Sequence, residues 1–113
     1  MSRRTPQNFG VTTETLSTSN RVTLVLHGEF DGSVVETFDA AAANVTTLSP
    51  DHVVVDLEGV TMMDSAAIGA IMRLRKQTHE DGRSFGAFAP RPFQQRLFAI
   101  TGLAHILTRD EGE

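Results

Sequence analysis

The stretch Val53-Val54-Val55-Asp56-Leu57-Glu58-Gly59-Val60-Thr61-Met62-Met63-Asp64-Ser65-Ala66-Ala67-Ile68-Gly69 decides the fold. It opens on a short β-branched run. Three consecutive apolar residues predict a strand buried on both faces, as in a parallel sheet. Gly59 is expected to break that strand. From Ser65 to about Glu80 the pattern changes to a helix, with Ala67, Ile71, Leu74 and Thr78 on one face. Asp64 or Ser65 is the natural N-cap, and Asp81-Gly82 ends the helix.

Upstream, Arg21 to Gly28 alternates, with Val22, Leu24 and Leu26 facing one way and Thr23, Val25 and His27 the other. Phe9 to Ser17 alternates more loosely, and Ser19-Asn20 supplies turn chemistry between the two. A β-hairpin is predicted. Ser33, with Glu36 three residues later, matches a capping box and predicts a helix start. Val34, Phe38, Ala41, Val45 and Leu48 form its apolar stripe, and Pro50 blocks its continuation.

Downstream, Ser84 to Ala89 predicts another strand, with Phe85 and Phe88 adding apolar area. Pro92 suits the first position of a third helix and Gly102 the position just past its end. Phe93, Leu97 and Ile100 are spaced to face the core, and Ala104 to Leu107 predicts a short last strand. The order β-β-α-β-α-β-α-β contains crossovers that make right-handed parallel units. The expectation is an α/β fold: a mixed β-sheet with helices packed mainly on one side, in a single domain over residues 9–109. Met1 to Asn8 is expected to be a flexible N-terminal tail and Asp110 to Glu113 an acidic, fraying C-terminal one.

The chain has 113 residues, enough for one core. Its 40% hydrophobic and 21% charged content argues against disorder. It has no cysteine, which excludes disulfides, thiolate zinc sites and cysteine nucleophiles. No secretory signal follows Arg3-Arg4, and the longest apolar run, Ala66 to Met72, is far short of the about 20 residues a membrane span needs. A soluble, cytoplasmic protein without membrane insertion is expected. A net charge of −4 argues against a nucleic-acid partner, and seven Phe with no Tyr or Trp leave little for stacking bases or sugars.

The chemistry of interest lies at Met63-Asp64-Ser65-Ala66-Ala67, where a buried strand turns into a helix. A hydroxyl at Ser65 is exposed by geometry. A phosphate placed there gains the amide donors of the helix N-terminus and adds about −1.5 to −2 charge beside Asp64. The plainer reading makes Ser65 an N-cap that satisfies one backbone donor.

Three separated motifs resemble the STAS domain family, and within it the anti-sigma factor antagonists. Gly28-Glu29-Phe30-Asp31 is similar to the family's Gly-Glu-apolar-Asp. Val55-Asp56-Leu57-Glu58-Gly59-Val60 followed by Met63-Asp64-Ser65 resembles its strand and phosphorylation loop. Pro92 through Arg96-Leu97-Phe98 to Thr101-Gly102-Leu103 resembles its last helix and exit. The resemblance runs from about Val11 to Leu107. It implies a STAS fold and a regulatory binding protein, not an enzyme, with no cofactor of its own. The unphosphorylated protein would bind an anti-sigma factor that is also an ATP-dependent serine kinase. Phosphorylation of Ser65 would dissolve the complex, and a phosphatase would reset it. Asp64, Ser65, Ala66 and Ala67 would form the contact, with Glu29 and Asp31 supporting the loop. The family usually has Gly where this chain has Ala67, whose methyl would close space that a partner could use. An alternative within the same fold is a docking subunit of a larger assembly, such as a lipid-transport ATPase or a stress-sensing complex, without phosphate turnover.

Other candidates carry less. Glu29, Asp31, Asp56, Glu58 and Asp64 each follow a strand and could gather as an acid–base pair or a magnesium site. Acids at such places more often complement helix dipoles and cap loops. Ser65 as a nucleophile needs a positioned base. His27, His52, His79 and His105 offer none in a readable context, and no histidine pair has metal-ligand spacing. Arg73, Arg75 and Lys76 form a basic group on the second helix: a solvated face, or a contact for an acidic partner led by Arg75.

Overall fold

In the computed structural model, which describes residues 9–16 and 18–108, the elements follow the expected order. They are β1 (Gly10–Leu16), β2 (Arg21–Phe30), a 3-10 turn (Gly32–Val34), α1 (Val35–Leu48), β3 (His52–Met63), α2 (Ser65–Glu80), β4 (Ser84–Phe88), α3 (Pro92–Ile100), a second 3-10 turn (Ala104–Ile106) and β5 (Leu107–Thr108). Both expected tails lie outside the described residues.

The five strands lie side by side in chain order. β1 pairs antiparallel with β2; β2, β3, β4 and β5 are mutually parallel. The alternation of β2 decides which face is the core. Val22, Leu24 and Leu26 are buried in the same apolar cluster as Val53, Val55 and Leu57 of β3 and Ala87 of β4. The helices supply the other half of it, through Phe38 and Val45 of α1, Ala67, Ile71 and Leu74 of α2, and Phe98 of α3. The face predicted for α2 is therefore the observed one, and Thr78 at its end is buried too.

Several local expectations are corrected. Ser33 does not cap α1. The N-cap position of α1 is Val34, which offers no side-chain cap; Asp31 instead caps the 3-10 turn ahead of the helix, accepting from Ser33 N at 2.9 Å and Ser33 Oγ at 2.6 Å. The Ser33 hydroxyl is spent as a donor to Asp31 and does not reach the α1 amides, so the Ser33–Glu36 box is not formed. On α1, Leu48 ends up exposed, because the helix runs past the edge of the core. On α3 Leu97 packs against the core as expected, but the buried residues are Gln94 and Phe98, and Ile100 is 75% exposed. The segment Ala104 to Leu107 is mostly a 3-10 turn, and the strand that follows keeps two residues.

Gly59 does not break β3, which continues to Met63. It marks a bulge instead. From Val25 to His27 β2 advances two residues while β3 advances three, from Asp56 to Gly59. A second shift follows, where Gly28 pairs Val60 but Glu29 pairs Met62. Gly28, at φ 93°, takes a conformation that favours glycine at this irregularity. At Gly59 the constraint is space: an added Cβ would stand 2.9 Å from the Leu26 carbonyl oxygen and 3.1 Å from His27 Cβ. Gly59→Ala is expected to lower unfolding free energy by about 1–3 kcal/mol, because backbone rather than a flexible side chain must move. Urea denaturation measures it, and an unchanged midpoint would mean that the bulge relaxes freely.

Candidate functional site

Parallel pairing brings two chain exits together. Glu29 lies opposite Met62 and Phe30 opposite Met63, so both strands end at the same edge of the sheet. Asp31 follows the first and Asp64 the second. The two aspartates share a backbone conformation, φ −127° and ψ −174° against φ −125° and ψ −175°. Each turns its carboxylate onto the backbone of the helical segment that it starts. The turns are neighbours: a Cβ added to Gly32 would meet Ala66 Cβ at 3.6 Å, an ordinary van der Waals distance.

Asp64 is the N-cap of α2. Its Oδ1 accepts from Ala67 N at 3.0 Å, and its carbonyl accepts from Ile68 N at 3.2 Å. Ser65 is thereby the first residue inside the helix rather than its cap. Its side chain is exposed and makes no hydrogen bond among the described residues. The capping role that the plain reading gave to Ser65 belongs to its neighbour. Ser65 N and Ala66 N precede the first intrahelical bond, and they sit at the positive end of a 16-residue helix.

The other expected site residues divide by burial. Ala66 and Glu29 are exposed, and Asp31 is half-buried. Ala67 is 0% exposed and belongs to the core cluster, so its methyl lies under the helix rather than on the surface above it. Met62, exposed, and Met63, half-buried, border the loop. Sequence reading passed over Met62 because only the bulge at the end of β3 turns it outward.

The acidic residues do not form one group. Asp56 sits in mid-strand, 4% exposed, and accepts from Glu58 N at 2.9 Å. Among the described residues, no group of three or more His, Asp or Glu is placed to hold a metal ion. Among the described residues no histidine bonds to Ser65, and the one serine paired with a histidine is Ser84, at 2.6 Å from His52 Nδ1.

The basic group is also split by the turn of α2. Arg73 reaches across to Asp39 of α1 at 3.1 Å, and Lys76 faces Glu80 at 4.0 Å. Arg75, half-buried, has no ion pair among the described residues. A shallow cleft of about 200 Å³ opens between α1 and α2, lined by Ala42, Ala70, Arg73 and Leu74 among others. Its α2 wall begins at Ala70, more than one turn beyond Ser65, and no residue of the Ser65 loop lines it.

A family model described as "Mlab, STAS domain" matches residues 14–108. The chain belongs to the STAS domain family. Solved members of similar fold include an anti-sigma factor antagonist from Mycobacterium paratuberculosis, with a TM-score of 0.80 at 21% identity over 91% of this chain and 86% of that one. SpoIIAA, an anti-sigma factor antagonist, superposes in its unphosphorylated form with a TM-score of 0.75 at 20% identity, over 88% and 86%. The phosphorylated form of the Bacillus cell fate determinant SpoIIAA gives 0.69 at 20% identity, over 88% and 89%. At these identities the likeness establishes the STAS fold, the mixed sheet with helices mainly on one side. No helix among the described residues is long and apolar enough to cross a membrane.

The two neighbours at the loop can be separated by stability. Asp64→Ala should cost about 1 kcal/mol, the usual loss of an N-cap. Ser65→Ala should stay within about 0.5 kcal/mol of wild type, as exposed substitutions away from caps do. Paired thermal and urea melts check both, and a larger loss at Ser65 would return the capping role to its hydroxyl.

Proposed function

We propose that this STAS domain is an anti-sigma factor antagonist, which binds an anti-sigma factor through the Ser65 loop and is released when that partner, acting as a serine kinase, phosphorylates Ser65. The observation that carries the reading is the unused Ser65 hydroxyl. It stands exposed at the first position of α2 while Asp64 performs the capping. A residue that contributes nothing to the local fold, at the place most open to a phosphate, is suited to carry a signal. Support also comes from the shared fold with anti-sigma factor antagonists, since SpoIIAA is solved with and without phosphate.

The docking surface would be Ser65, Ala66 and Met62, flanked by Glu29 and Asp31. In the unphosphorylated state it offers a small apolar platform with an acidic border. Phosphate adds about −1.5 to −2 charge next to the Asp64 carboxylate, in a turn that neighbours that of Asp31. A docked partner must then desolvate or oppose that charge, and like-charge juxtaposition at an interface costs several kcal/mol. Binding is lost without unfolding. The domain is a kinase substrate and not a catalyst. ATP and magnesium belong to the partner, a phosphatase resets Ser65, and transcription is regulated in the cytoplasm through the sigma factor set free.

Intact mass after incubation with ATP, magnesium and the candidate anti-sigma kinase tests the switch. Wild type should gain one phosphate and Ser65→Ala none. No gain in either protein would favour a docking subunit without phosphate turnover. Ser65→Asp should keep the native circular dichroism spectrum and weaken partner binding by roughly 100-fold. A collapsed spectrum would assign the residue to folding. Arg75, the α2 cation without an ion pair among the described residues, is the proposed contact for an acidic patch on the partner. Arg75→Glu should slow association several-fold and flatten its salt dependence, as rim charges do. An unchanged on-rate would make Arg75 ordinary solvated surface.

A further inference from the structure

Strand β3 changes its neighbours along its length. From His52 to Asp56 it lies between β2 and β4. Pairing with β4 stops at Asp56–Phe88, and the remaining residues, Leu57 to Met63, keep only β2 as a strand partner. This half also contains both register shifts. A buried strand with one side unpaired and two bulges has carbonyls that must find donors elsewhere.

They find them on the first turn of α3. Gln94 is 0% exposed, the one fully buried polar side chain among the described residues. Its Nε2 donates to Leu57 O at 2.7 Å and to Val60 O at 3.0 Å, so each of its two amide hydrogens is used. Its Oε1 accepts from Arg91 N at 3.2 Å, which fixes the direction of the amide. Arg91 adds a bond from outside, with Nε donating to Glu58 O at 2.7 Å. Three carbonyls of the bulged segment, on both sides of Gly59, are thus tied to one turn of helix. The segment leads directly into Met63, Asp64 and Ser65.

We propose that Gln94 is a positioning residue for the Ser65 loop: by bridging the Leu57 and Val60 carbonyls it fixes the bulged end of β3, and so sets where the Asp64 cap and the Ser65 hydroxyl stand for a docking kinase. Its part in phosphorylation rests on the function proposed above; its part in ordering the loop does not. A side-chain amide does here what the next strand of the sheet does lower down. Arg91 is the outer member of the same clasp, and it can be removed without opening the core.

The test uses the full chain with Gln94→Leu, which keeps an apolar body of similar size but no donor, and Arg91→Ala, an exposed change. Residue-resolved amide hydrogen exchange is followed for Val60 to Ala66, with Val53 to Val55 as the internal reference. Gln94→Leu should speed exchange in the loop segment by roughly tenfold or more relative to the reference, since two strand carbonyls lose their donor and each net hydrogen bond is worth about 1 kcal/mol. Arg91→Ala should give a smaller change in the same direction and place. With the anti-sigma kinase, Gln94→Leu should raise KM for the domain more than it lowers kcat, since the hydroxyl remains but is less often in position. Exchange that rises equally in both segments would overturn the proposal and leave Gln94 as a core residue only. Should Gln94→Leu fail to fold, Arg91→Ala decides: loop exchange equal to wild type sinks the clasp, and selective loosening supports it. If wild type itself accepts no phosphate, the function reading falls, while the exchange comparison still decides the positioning.

Discussion

Everything at the functional edge depends on the parallel pairing of β2 with β3. Two parallel strands end at the same edge by construction, so the residues that follow them meet. Here those residues are aspartates, and each must satisfy donors at the start of a helical segment. The outcome is two neighbouring turns whose aspartates share a backbone conformation, one leading through a 3-10 turn to α1 and one to α2. An antiparallel arrangement would have put Asp31 and Asp64 at opposite ends of the sheet. The location of the site is therefore a consequence of topology, and its chemistry is a consequence of which residue takes each cap.

The path of β3 adds a second condition. Its first half is ordinary sheet, held on both sides by strands and buried on both faces. Its second half is irregular, and side chains of α3 hold it. That division puts the rigid part of the sheet under the core and an adjustable part under the loop. A bulge re-aims the chain and can be placed wherever a donor is available to cover the carbonyls it frees.

Much of this was legible in the sequence. The run from Val53 to Leu57, the helix from Ser65 to Glu80 and its buried face were readable because periodicity there is dense and uninterrupted. The strand-loop-helix junction with Asp64 and Ser65 followed from the same stretch. What escaped was set by competition between neighbours. Ser33 looks like a cap until its own amide and hydroxyl are seen to donate back to Asp31. Gly59 looks like a terminator, and only the register of β2 reveals it as a bulge. Gln94 is not singled out at all, since no pattern in a single chain announces that a strand elsewhere lacks a partner. Ile100 follows the helical period of α3, yet that helix has turned its core face to Gln94 and Phe98.

The separation of Asp64 from Ser65 has an evolutionary consequence. Folding specifies the carboxylate, whose bond to Ala67 N anchors α2, and places no comparable demand on the hydroxyl beside it. The identity of position 65 can drift at little thermodynamic cost, provided that the side chain fits an exposed first helical turn. Under the proposed switch, a lineage of such domains gains or loses covalent control by a single codon change, with the scaffold left standing.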